Sequence, residues 1–397
     1  MSSFEIKENI HWVGARDWNV RSFHGPELST HRGTTYNSYV IQDEKNVLVD
    51  GVYKGFIDIH KKHIAEVVDP GDIDYYVVNH TEPDHSASFP AVMDWLSEET
   101  VVLCSQKGKE GLQEHYGNNY NFQVVQTGDN INLGKKSISF VTAPMLHWPD
   151  SMFTYVPETK LLLPNDAFGM HLSVSNLFDD KNSKSLLLSE AKKYYANILT
   201  PFSDLVLRKL DEIQKMGLEI DMIAPSHGVI WRKNPELIIN KYSKWATMES
   251  GDKAVIVYDT MWDSTEKVAK LILEGLMAEE IEAKFYRLSA ADNSDIITEI
   301  LDTSAVIIGS PTINNVMLPN ITSLLEELTG LKFKDKTGAA FGSKGWAGGA
   351  SKRIAERMGE AGIEMVKEPF EFQYVPSEKQ LKEAYQLGVR IGKKIKG

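Results

Sequence analysis

Residues 80–85, which read HTEPDH, contain four side chains that can bind a metal ion. These are His80, Glu82, Asp84 and His85. In an extended loop alternate residues point the same way, so we expect the first three side chains to converge and His85 to lie on the other side of Asp84. The single cysteine, Cys104, excludes a CxxC knuckle, an iron–sulfur cluster and a disulfide framework within this sequence. Any metal here is therefore bound by imidazole nitrogens and carboxylate oxygens.

Three further candidate ligands share one position with His80, just beyond the end of an apolar run. YYVVNH ends at His80, ISFVTAPMLH at His147, KLLLPND at Asp166 and DMIAPSH at His227. Open α/β sheets form ligand sites at this edge, outside the carboxyl ends of their strands. A single histidine after a strand is usually a cap or a solvent-facing residue, and four others keep that ordinary interpretation: His11, His60, His63 and His115. The joint pattern of the other residues predicts a metal site.

The elements that must position these residues change in pattern near residue 250. Before it, short β-branched runs alternate with turns and with helical patterns, the longest of which covers 189–217. After it, apolar strands alternate strictly with helices up to a final helix at 377–395, which indicates a doubly wound parallel sheet. A chain of 397 residues exceeds the usual size of one hydrophobic core. We therefore predict two domains, 1–250 and 251–397.

The overall composition narrows the functional classes. The net charge is −12, whereas a nucleic-acid-binding protein normally carries a basic face. No apolar run approaches the roughly 18 residues that are needed to cross a bilayer. The first residues, MSSFEIKENIHWVG, lack the basic and then apolar pattern of a secretory signal. The sequence therefore predicts a cytoplasmic protein that binds neither nucleic acid nor membrane.

A second candidate site follows the strand KAVIVYDT, where Thr260, Ser264 and Thr265 surround the start of a helix. Hydroxyls and backbone amides at a helix N-terminus suit a phosphate group. The segment has neither G-x-G-x-x-G nor a Walker loop, and Ser or Thr before a helix more often only caps it. Two more loops, 310–315 and 342–350, also follow strands. Three loops at strand ends together predict a binding site at one edge of the second sheet.

These motifs resemble two known folds that are joined in one chain. H-x-E-x-D-H in its strand context resembles the metallo-β-lactamase superfamily, whose usual signature is H-x-H-x-D-H with two zinc ions. Glutamate at the second position, with a flavodoxin-like half following, resembles the flavodiiron proteins. The resemblance also covers RGTTYNSY, MLHWPDSMFTY, LLLPNDAFG, APSHG and GSPTINN. It implies an α/β protein with an N-terminal metallo-β-lactamase-like αββα sandwich and a C-terminal flavodoxin-like doubly wound parallel sheet.

The resemblance implies a diiron centre with seven ligands. It assigns His80, Glu82 and His147 to one iron, Asp84, His85 and His227 to the other, and a bridging position to Asp166. The donor set itself favours iron, because three carboxylates and one bridging hydroxide balance the charge of two divalent ions. The additional anionic oxygen favours the harder Fe(III) state. Zinc has no redox use for that compensation.

The resemblance also implies FMN in the second site. The residues that it assigns to the flavin lie in three loops: Thr260, Met261, Trp262, Asp263, Ser264, Thr265, Pro311, Thr312, Ile313, Asn314, Asn315, Ser343, Lys344, Gly345, Trp346, Ala347 and Gly348. Three other side chains are candidates for orienting metal ligands or donating a proton: His24, His171 and Tyr195.

The implied activity is reduction of dioxygen to water, of nitric oxide to nitrous oxide, or of both. One FMN and two irons together hold the four electrons that dioxygen requires, and two electrons suffice to couple two nitric oxide molecules. An external donor, by analogy a rubredoxin or a reduced deazaflavin, must supply these electrons. The resemblance further implies a head-to-tail homodimer or a dimer of such dimers. Two alternatives stay open: a dinuclear zinc hydrolase with a flavodoxin module, and an FMN electron carrier whose first half is a relic.

Overall fold

The computed structural model describes residues 2–25 and 28–397, which form two compact units. The first unit comprises residues 2–25, 30–194 and 204–243, and the second comprises 28–29, 195–203 and 244–397. The boundary of the predicted domains at 250/251 stays a prediction. Among the described residues, no helix is both long and apolar enough to cross a membrane.

Short strands dominate the chain before residue 250. In chain order they are β1 (Phe4–Lys7), β2 (Ile10–Trp12), β3 (Ala15–Asp17), β4 (Ser22–Phe23), β5 (Leu28–Ser29), β6 (Thr34–Tyr36), β7 (Tyr39–Ile41), β8 (Asn46–Val49), β9 (Ile73–Val77), β10 (Val101–Cys104), β11 (Phe122–Val124), β12 (Asn130–Asn132), β13 (Ser137–Thr142), β14 (Met152–Val156), β15 (Leu161–Leu163) and β16 (Met222–Ile223). Seven of them form one sheet in the order β1-β2-β7-β8-β9-β10-β11, and β12 to β16 form a second sheet in sequence order.

The first unit has its main core between these two sheets. Trp12, Tyr39 and Val49 of the larger sheet belong to one buried cluster with Phe140 and Val156 of the smaller sheet. In the larger sheet β8, β9, β10 and β11 run parallel to one another, so β9 and β10 have their carboxyl ends at the same edge. In the smaller sheet β15 and β16 are parallel as well.

Helices cover the outer faces of the two sheets. The helices of this part of the chain are α1 (Ile57–Ala65), α2 (Pro83–Ser86), α3 (Phe89–Met93), α4 (Gln106–Tyr116), α5 (Lys184–Tyr194), α6 (Ser203–Lys215) and α7 (Pro235–Ala246). Ile64, Phe89 and Leu112, from α1, α3 and α4, are buried against Leu48 and Tyr76 of the larger sheet. On the other side, Lys209 of α6 donates a 2.7 Å hydrogen bond to the carbonyl of Thr142 at the end of β13. The predicted αββα arrangement is confirmed.

The helical pattern predicted at 189–217 is interrupted. After α5, Tyr195–Leu199 form a π-helical turn and Thr200–Phe202 a 3₁₀ turn, and α6 begins directly afterwards. Pro201 has no N–H group, so it cannot continue the hydrogen-bond ladder of an α-helix. The prediction of one continuous helix was wrong at this point.

After residue 250 the second unit forms one sheet with only parallel pairings. Its strands are β17 (Gly251–Tyr258), β18 (Glu282–Arg287), β19 (Thr303–Gly309), β20 (Thr337–Lys344), β21 (Glu364–Met365) and β22 (Phe370–Gln373). The order is β18-β17-β19-β20, and β21 and β22 both pair with β20. Five helices alternate with the strands: α8 (Ser264–Ala278), α9 (Asn293–Ile300), α10 (Pro319–Leu331), α11 (Ala350–Glu360) and α12 (Glu378–Lys396). Successive residues of one strand, such as Val255 and Ile256, are both fully buried, so both sheet faces are covered, as predicted.

Candidate functional site

The seven candidate metal ligands lie shortly beyond the ends of four strands of the first unit. His80 follows β9, His147 follows β13, Asp166 follows β15 and His227 follows β16. The remaining ligands come from the start of α2: Glu82, Asp84 and His85. Our expectation of an extended loop was wrong here, because Pro83 opens a short helix and its fixed φ suits that first helical position.

The structure brings these side chains into two groups of ligand atoms. We call His80, Glu82 and His147 the first ligand group, and Asp84, His85 and His227 the second ligand group. The ligand atoms of the first group and of Asp166 lie within 4.8 Å of one another, and so do those of the second group. Each group offers two imidazoles and one carboxylate.

Asp166 faces both groups with different oxygens. Its Oδ2 is 3.1 Å from His147 Nε2 and 3.6 Å from His80 Nε2. Its Oδ1 is 3.0 Å from His85 Nε2 and 3.5 Å from His227 Nε2. A carboxylate with one oxygen toward each of two imidazole pairs has the geometry of a bridge between two cations.

The charges of this buried cluster call for bound cations. Burial alone would lower the pKa of His80, but hydrogen bonds to Asp150 and Glu82 and the nearby Asp166 raise it to about 10. Burial alone would likewise raise the pKa of Glu82, but bonds from His24 and His80 lower it to about 2. The imidazole of His80 is thus stabilised in its protonated form by the carboxylates around it, and bound metal ions would supply positive charge in the same place. Four imidazoles and three carboxylates fit iron, which accepts both nitrogen and oxygen donors.

The loop that carries His227 depends on the glycine that follows it. Gly228 has a φ of +77°, and a Cβ at this position would lie 2.7 Å from the carbonyl oxygen of Met170. Only glycine fits both requirements, which explains the APSHG pattern at the end of β16.

His24 and His171 both lie beside the ligand cluster. His24 Nε2 is 2.8 Å from Glu82 Oε1, and the His24 side chain keeps 38% of its surface exposed. His171 is buried, and its Nδ1 is 3.0 Å from Thr34 Oγ1. Burial lowers the pKa of His171 well below its usual value, so this ring is neutral.

Tyr195 contacts residues outside the cluster, and a role for it at the metal site stays a prediction. Its hydroxyl is 3.1 Å from Ser203 Oγ, and its ring packs against Trp245. The preceding residue, Tyr194, takes the expected place, with its ring centroid 5.0 Å from that of His171. Consecutive helical residues point in directions about 100° apart, so only one tyrosine of the YY pair can face His171, and the sequence does not show which one.

One polar contact was missed from the sequence. Asp150 Oδ2 is 3.1 Å from His80 Nδ1 and 2.7 Å from the backbone nitrogen of Thr81. Asp150 lies in the segment HWPDS, where an acidic residue in a polar loop gives no signal of its own. Two histidines that we assigned to caps or solvent are also buried: His60 bonds Ser38 Oγ at 3.0 Å, and His63 bonds the carbonyl of Gly14 at 2.8 Å.

The second candidate site is a cavity of about 710 Å³ at the carboxyl edge of the parallel sheet. The predicted flavin residues line it, with the exception of Asp263, Thr265 and Gly348. Tyr374 and Val375 line it as well, and both follow β22, a strand that the sequence analysis did not anticipate. Three predicted loops and one additional loop therefore form a single pocket.

One end of this pocket suits an anion. The Thr260 hydroxyl is buried and has no hydrogen-bond partner within the described ranges. The residue before α8, Asp263, makes no side-chain cap to the helix. The first N–H groups of α8 therefore remain available, as a phosphate site requires. At the rim, Trp262 and Trp346 are 86% and 94% exposed, which leaves two large aromatic surfaces for a planar ring.

Two family models match the chain. Residues 34–228 match the "ODP family beta lactamase" and residues 256–388 match "Flavodoxin". Together they account for the two kinds of sheet described above.

Relatives with similarity to nearly the whole chain share both parts. The "Nitric oxide reductase" of Moorella thermoacetica is 53% identical over 392 residues, which cover 98% of each chain. The "Anaerobic nitric oxide reductase flavorubredoxin" of Escherichia coli is 44% identical over 367 residues, which cover 91% of this chain and 76% of the relative.

Solved structures show the same architecture. The rubredoxin oxygen:oxidoreductase of Desulfovibrio gigas superposes with a TM-score of 0.97 at 35% identity and covers 100% of this chain and 99% of its own. The flavodiiron protein of Giardia intestinalis gives a TM-score of 0.94 at 32% identity, with 100% and 97% covered.

Proposed function

The chain belongs to the flavodiiron protein family, and on this premise we propose that it reduces nitric oxide, with dioxygen as the other gas of the same site. It is an oxidoreductase whose cofactors are FMN and a non-haem diiron centre. The observation that carries the proposal is Asp166, whose two oxygens face two groups of imidazole ligands. When bound, FMN takes up electrons in pairs, and the irons supply one-electron sites at which a diatomic gas is reduced.

The proposed metal ligands follow the two groups of the structure. The first ligand group (His80, Glu82, His147) would hold one iron and the second ligand group (Asp84, His85, His227) the other, and the Asp166 carboxylate would contribute to both. Burial of six of the seven residues excludes bulk water from the ligand atoms. The hydrogen bonds behind His80 and His227 hold their Nε2 atoms toward the carboxylates.

Proton supply is the proposed role of His24. Coupling of two nitric oxide molecules to nitrous oxide and water consumes two protons and two electrons, so a proton donor must reach the site. His24 Nε2 contacts Glu82 Oε1 at 2.8 Å, while the half-exposed ring can exchange protons with solvent. His171 is neutral and buried, and we propose that it orients His227, whose Nδ1 lies near the same Thr34 hydroxyl.

FMN binding is assigned to the 710 Å³ cavity. We propose that the Thr260 hydroxyl and the N-terminus of α8 would hold its phosphate, and that the loops after β19 and β20 would hold its ring. Asp263, Thr265 and Gly348 act through the shape of these loops, since they do not line the cavity. Thr265 Oγ1, for example, lies 3.5 Å from Ser343 Oγ.

The proposed partners follow from the relatives. Rubredoxin appears in the names of both the D. gigas and the E. coli proteins, which supports a rubredoxin as external donor, with a reduced deazaflavin as the second candidate. We further propose a cytoplasmic head-to-tail homodimer, or a dimer of such dimers, and domains that meet at 250/251. Family models on either side of that boundary support it.

The preference for nitric oxide rests on the relatives that are 53% and 44% identical, since both carry that substrate in their names. The test is to reduce the holoenzyme anaerobically with excess donor and to follow consumption of each gas separately with electrodes. We expect nitric oxide to be consumed at least as fast as dioxygen. A nitric oxide rate far below the dioxygen rate would contradict the preference.

The zinc hydrolase alternative is not favoured, because the relatives are named as reductases and the second unit retains a flavin-sized cavity. Metal analysis separates the two functions directly. Two irons per chain and little zinc are expected in protein expressed with both metals available, whereas two zinc ions without iron would support a hydrolase.

A further inference from the structure

The two ligand groups have the same donor types but different contacts behind their imidazoles. Each histidine that binds a metal through Nε2 presents Nδ1 to the surrounding protein. A carboxylate that accepts a proton from Nδ1 makes the imidazole a stronger ligand, and a neutral carbonyl does so less. The partners of the Nδ1 atoms therefore predict which metal is held more strongly.

Asp150 provides a charged partner in the first ligand group only. His80 Nδ1 donates to Asp150 Oδ2 at 3.1 Å, and Asp150 is 3% exposed. The same oxygen accepts the backbone N–H of Thr81 at 2.7 Å and the Thr81 hydroxyl at 2.9 Å. The carbonyl of Asp150 accepts the Ser105 hydroxyl at 2.7 Å. Asp150 is therefore fixed in place as a buried anion behind His80.

The second ligand group has no such partner in the part of the chain that the structure describes. His227 Nδ1 lies 2.6 Å from the backbone carbonyl of Thr35, which is neutral. His85 Nδ1 is buried and has no hydrogen-bond partner among the described residues. Glu82 and Asp84 give the groups one carboxylate each, and Asp166 is shared. The two groups therefore differ in the hydrogen-bond partners of their histidine Nδ1 atoms.

We propose that Asp150 is a positioning residue that makes the first ligand group the tighter of the two iron sites and favours the oxidised ion there. The inference rests on the proposed function, because it assumes iron in both groups. The Asp150 carboxylate fixes the His80 tautomer with Nε2 unprotonated and increases the electron density on that atom. The second ligand group then holds the iron that leaves first when a chelator competes.

The experiment separates the two sites by removing one at a time. His227→Gln disables the second ligand group and leaves one iron in the first, and His147→Gln does the reverse. Asp150→Asn, which keeps the shape and removes the charge, is added to each background. Iron per chain is followed during competition with a chromophoric chelator, and the Mössbauer spectrum of the ⁵⁷Fe protein reports the oxidation state. FMN content and circular dichroism check the fold.

We expect Asp150→Asn to weaken iron binding about 10- to 100-fold in the His227→Gln background, and less than about 3-fold in the His147→Gln background. Ser105→Ala is the matched control, since it loosens the same segment without changing its charge. It should change the iron affinity less than about 3-fold in either background. Equal weakening in both backgrounds, or none in the first, would overturn the role of Asp150. If the unmodified chain binds no iron, the proposed function itself fails.

Discussion

Glu82 uses its two oxygens for two different contacts. Oε2 lies 3.2 Å from His80 Nε2 and 3.4 Å from His147 Nε2, whereas Oε1 lies 2.8 Å from His24 Nε2. A histidine at this position, as in the usual zinc signature, would offer one nitrogen to a metal and could not accept a bond from His24 at the same time. The carboxylate therefore supplies negative charge to the metal group and connects it to a half-exposed imidazole.

His60 shows how a single buried histidine affects stability. Its Nε2 lies 3.0 Å from Ser38 Oγ, which itself donates to the carbonyl of Asp50, so Nε2 carries the proton. Its Nδ1 is buried without a partner among the described residues. Burial, with a smaller contribution from His63, lowers the pKa of His60 from 6.5 to about 3. A proton on Nδ1 would thus have no acceptor.

The consequence is a loss of stability in acid. Below pH 6.5 the unfolded state binds a proton at His60 that the folded state does not bind. The contribution of His60 to the free energy of unfolding is therefore complete above that pH and falls as the pH decreases toward 3. Between pH 7 and pH 5 we expect His60 to lower the free energy of unfolding by about 2 kcal/mol. His60→Gln, whose amide can still donate to Ser38, should abolish this pH-dependent loss of unfolding free energy. Urea unfolding of both proteins at the two pH values measures it, and equal pH dependence would contradict it.

At the scale of elements, the sequence was informative where strands end. Apolar runs marked β9, β13, β15 and β16, and the polar residue types beyond them identified the seven candidate ligands that the structure brings together. This works because parallel strands align their carboxyl ends and because few residue types bind metals. The alternation after residue 250 likewise predicted the parallel sheet.

What the sequence could not predict is the direction of side chains and the pairing of loops. Tyr194 and Tyr195 are both large and aromatic, and only the turn that follows α5 decides which one faces His171. Asp150 reaches His80 from a loop that is 70 positions away in sequence. β22 is short, so the loop with Tyr374 was missed. Such features depend on long-range packing, which periodicity does not encode.

The start of α8 leads to a prediction about flavin affinity. If the phosphate of FMN accepts a hydrogen bond from the buried Thr260 hydroxyl, Thr260→Val loses a bond to a charged group. Such bonds contribute about 1.5–3 kcal/mol, so the Kd for FMN should rise about 10- to 100-fold. Titration of apoprotein with FMN, followed by quenching of flavin fluorescence, measures the Kd. Thr322→Val, at an exposed position of α10, is the control and should leave it unchanged.

At the scale of the whole molecule, the flavin pocket has an unusual rim. Trp262, Trp346 and Tyr374 are 86%, 94% and 59% exposed, and Val375 is 65% exposed. Exposed apolar clusters of this kind mark surfaces that bind another molecule. Such a surface supports the proposed head-to-tail homodimer, in which the pocket of one subunit meets the metal-binding part of its partner.

The proposed dimer predicts that electrons pass from the FMN of one subunit to the diiron centre of the other. Two variants distinguish this from electron transfer within one subunit. Asp166→Ala removes the carboxylate shared by both ligand groups and should leave FMN bound without iron. Thr260→Glu places a negative charge where the phosphate is expected and should leave iron bound without FMN. Each variant alone should be inactive, because each lacks one cofactor.

Coexpression of these two variants with different tags yields mixed dimers, which purification on both tags isolates. In a head-to-tail dimer, one FMN and one diiron centre of a mixed dimer belong to the same electron-transfer pair. Since each mixed dimer retains one of its two pairs, the purified mixed dimers should show roughly half of the wild-type rate of nitric oxide consumption. Transfer within each subunit predicts no activity at all, because neither subunit then holds both cofactors. The measured rate in these mixed dimers, with each variant alone as control, decides between the two arrangements.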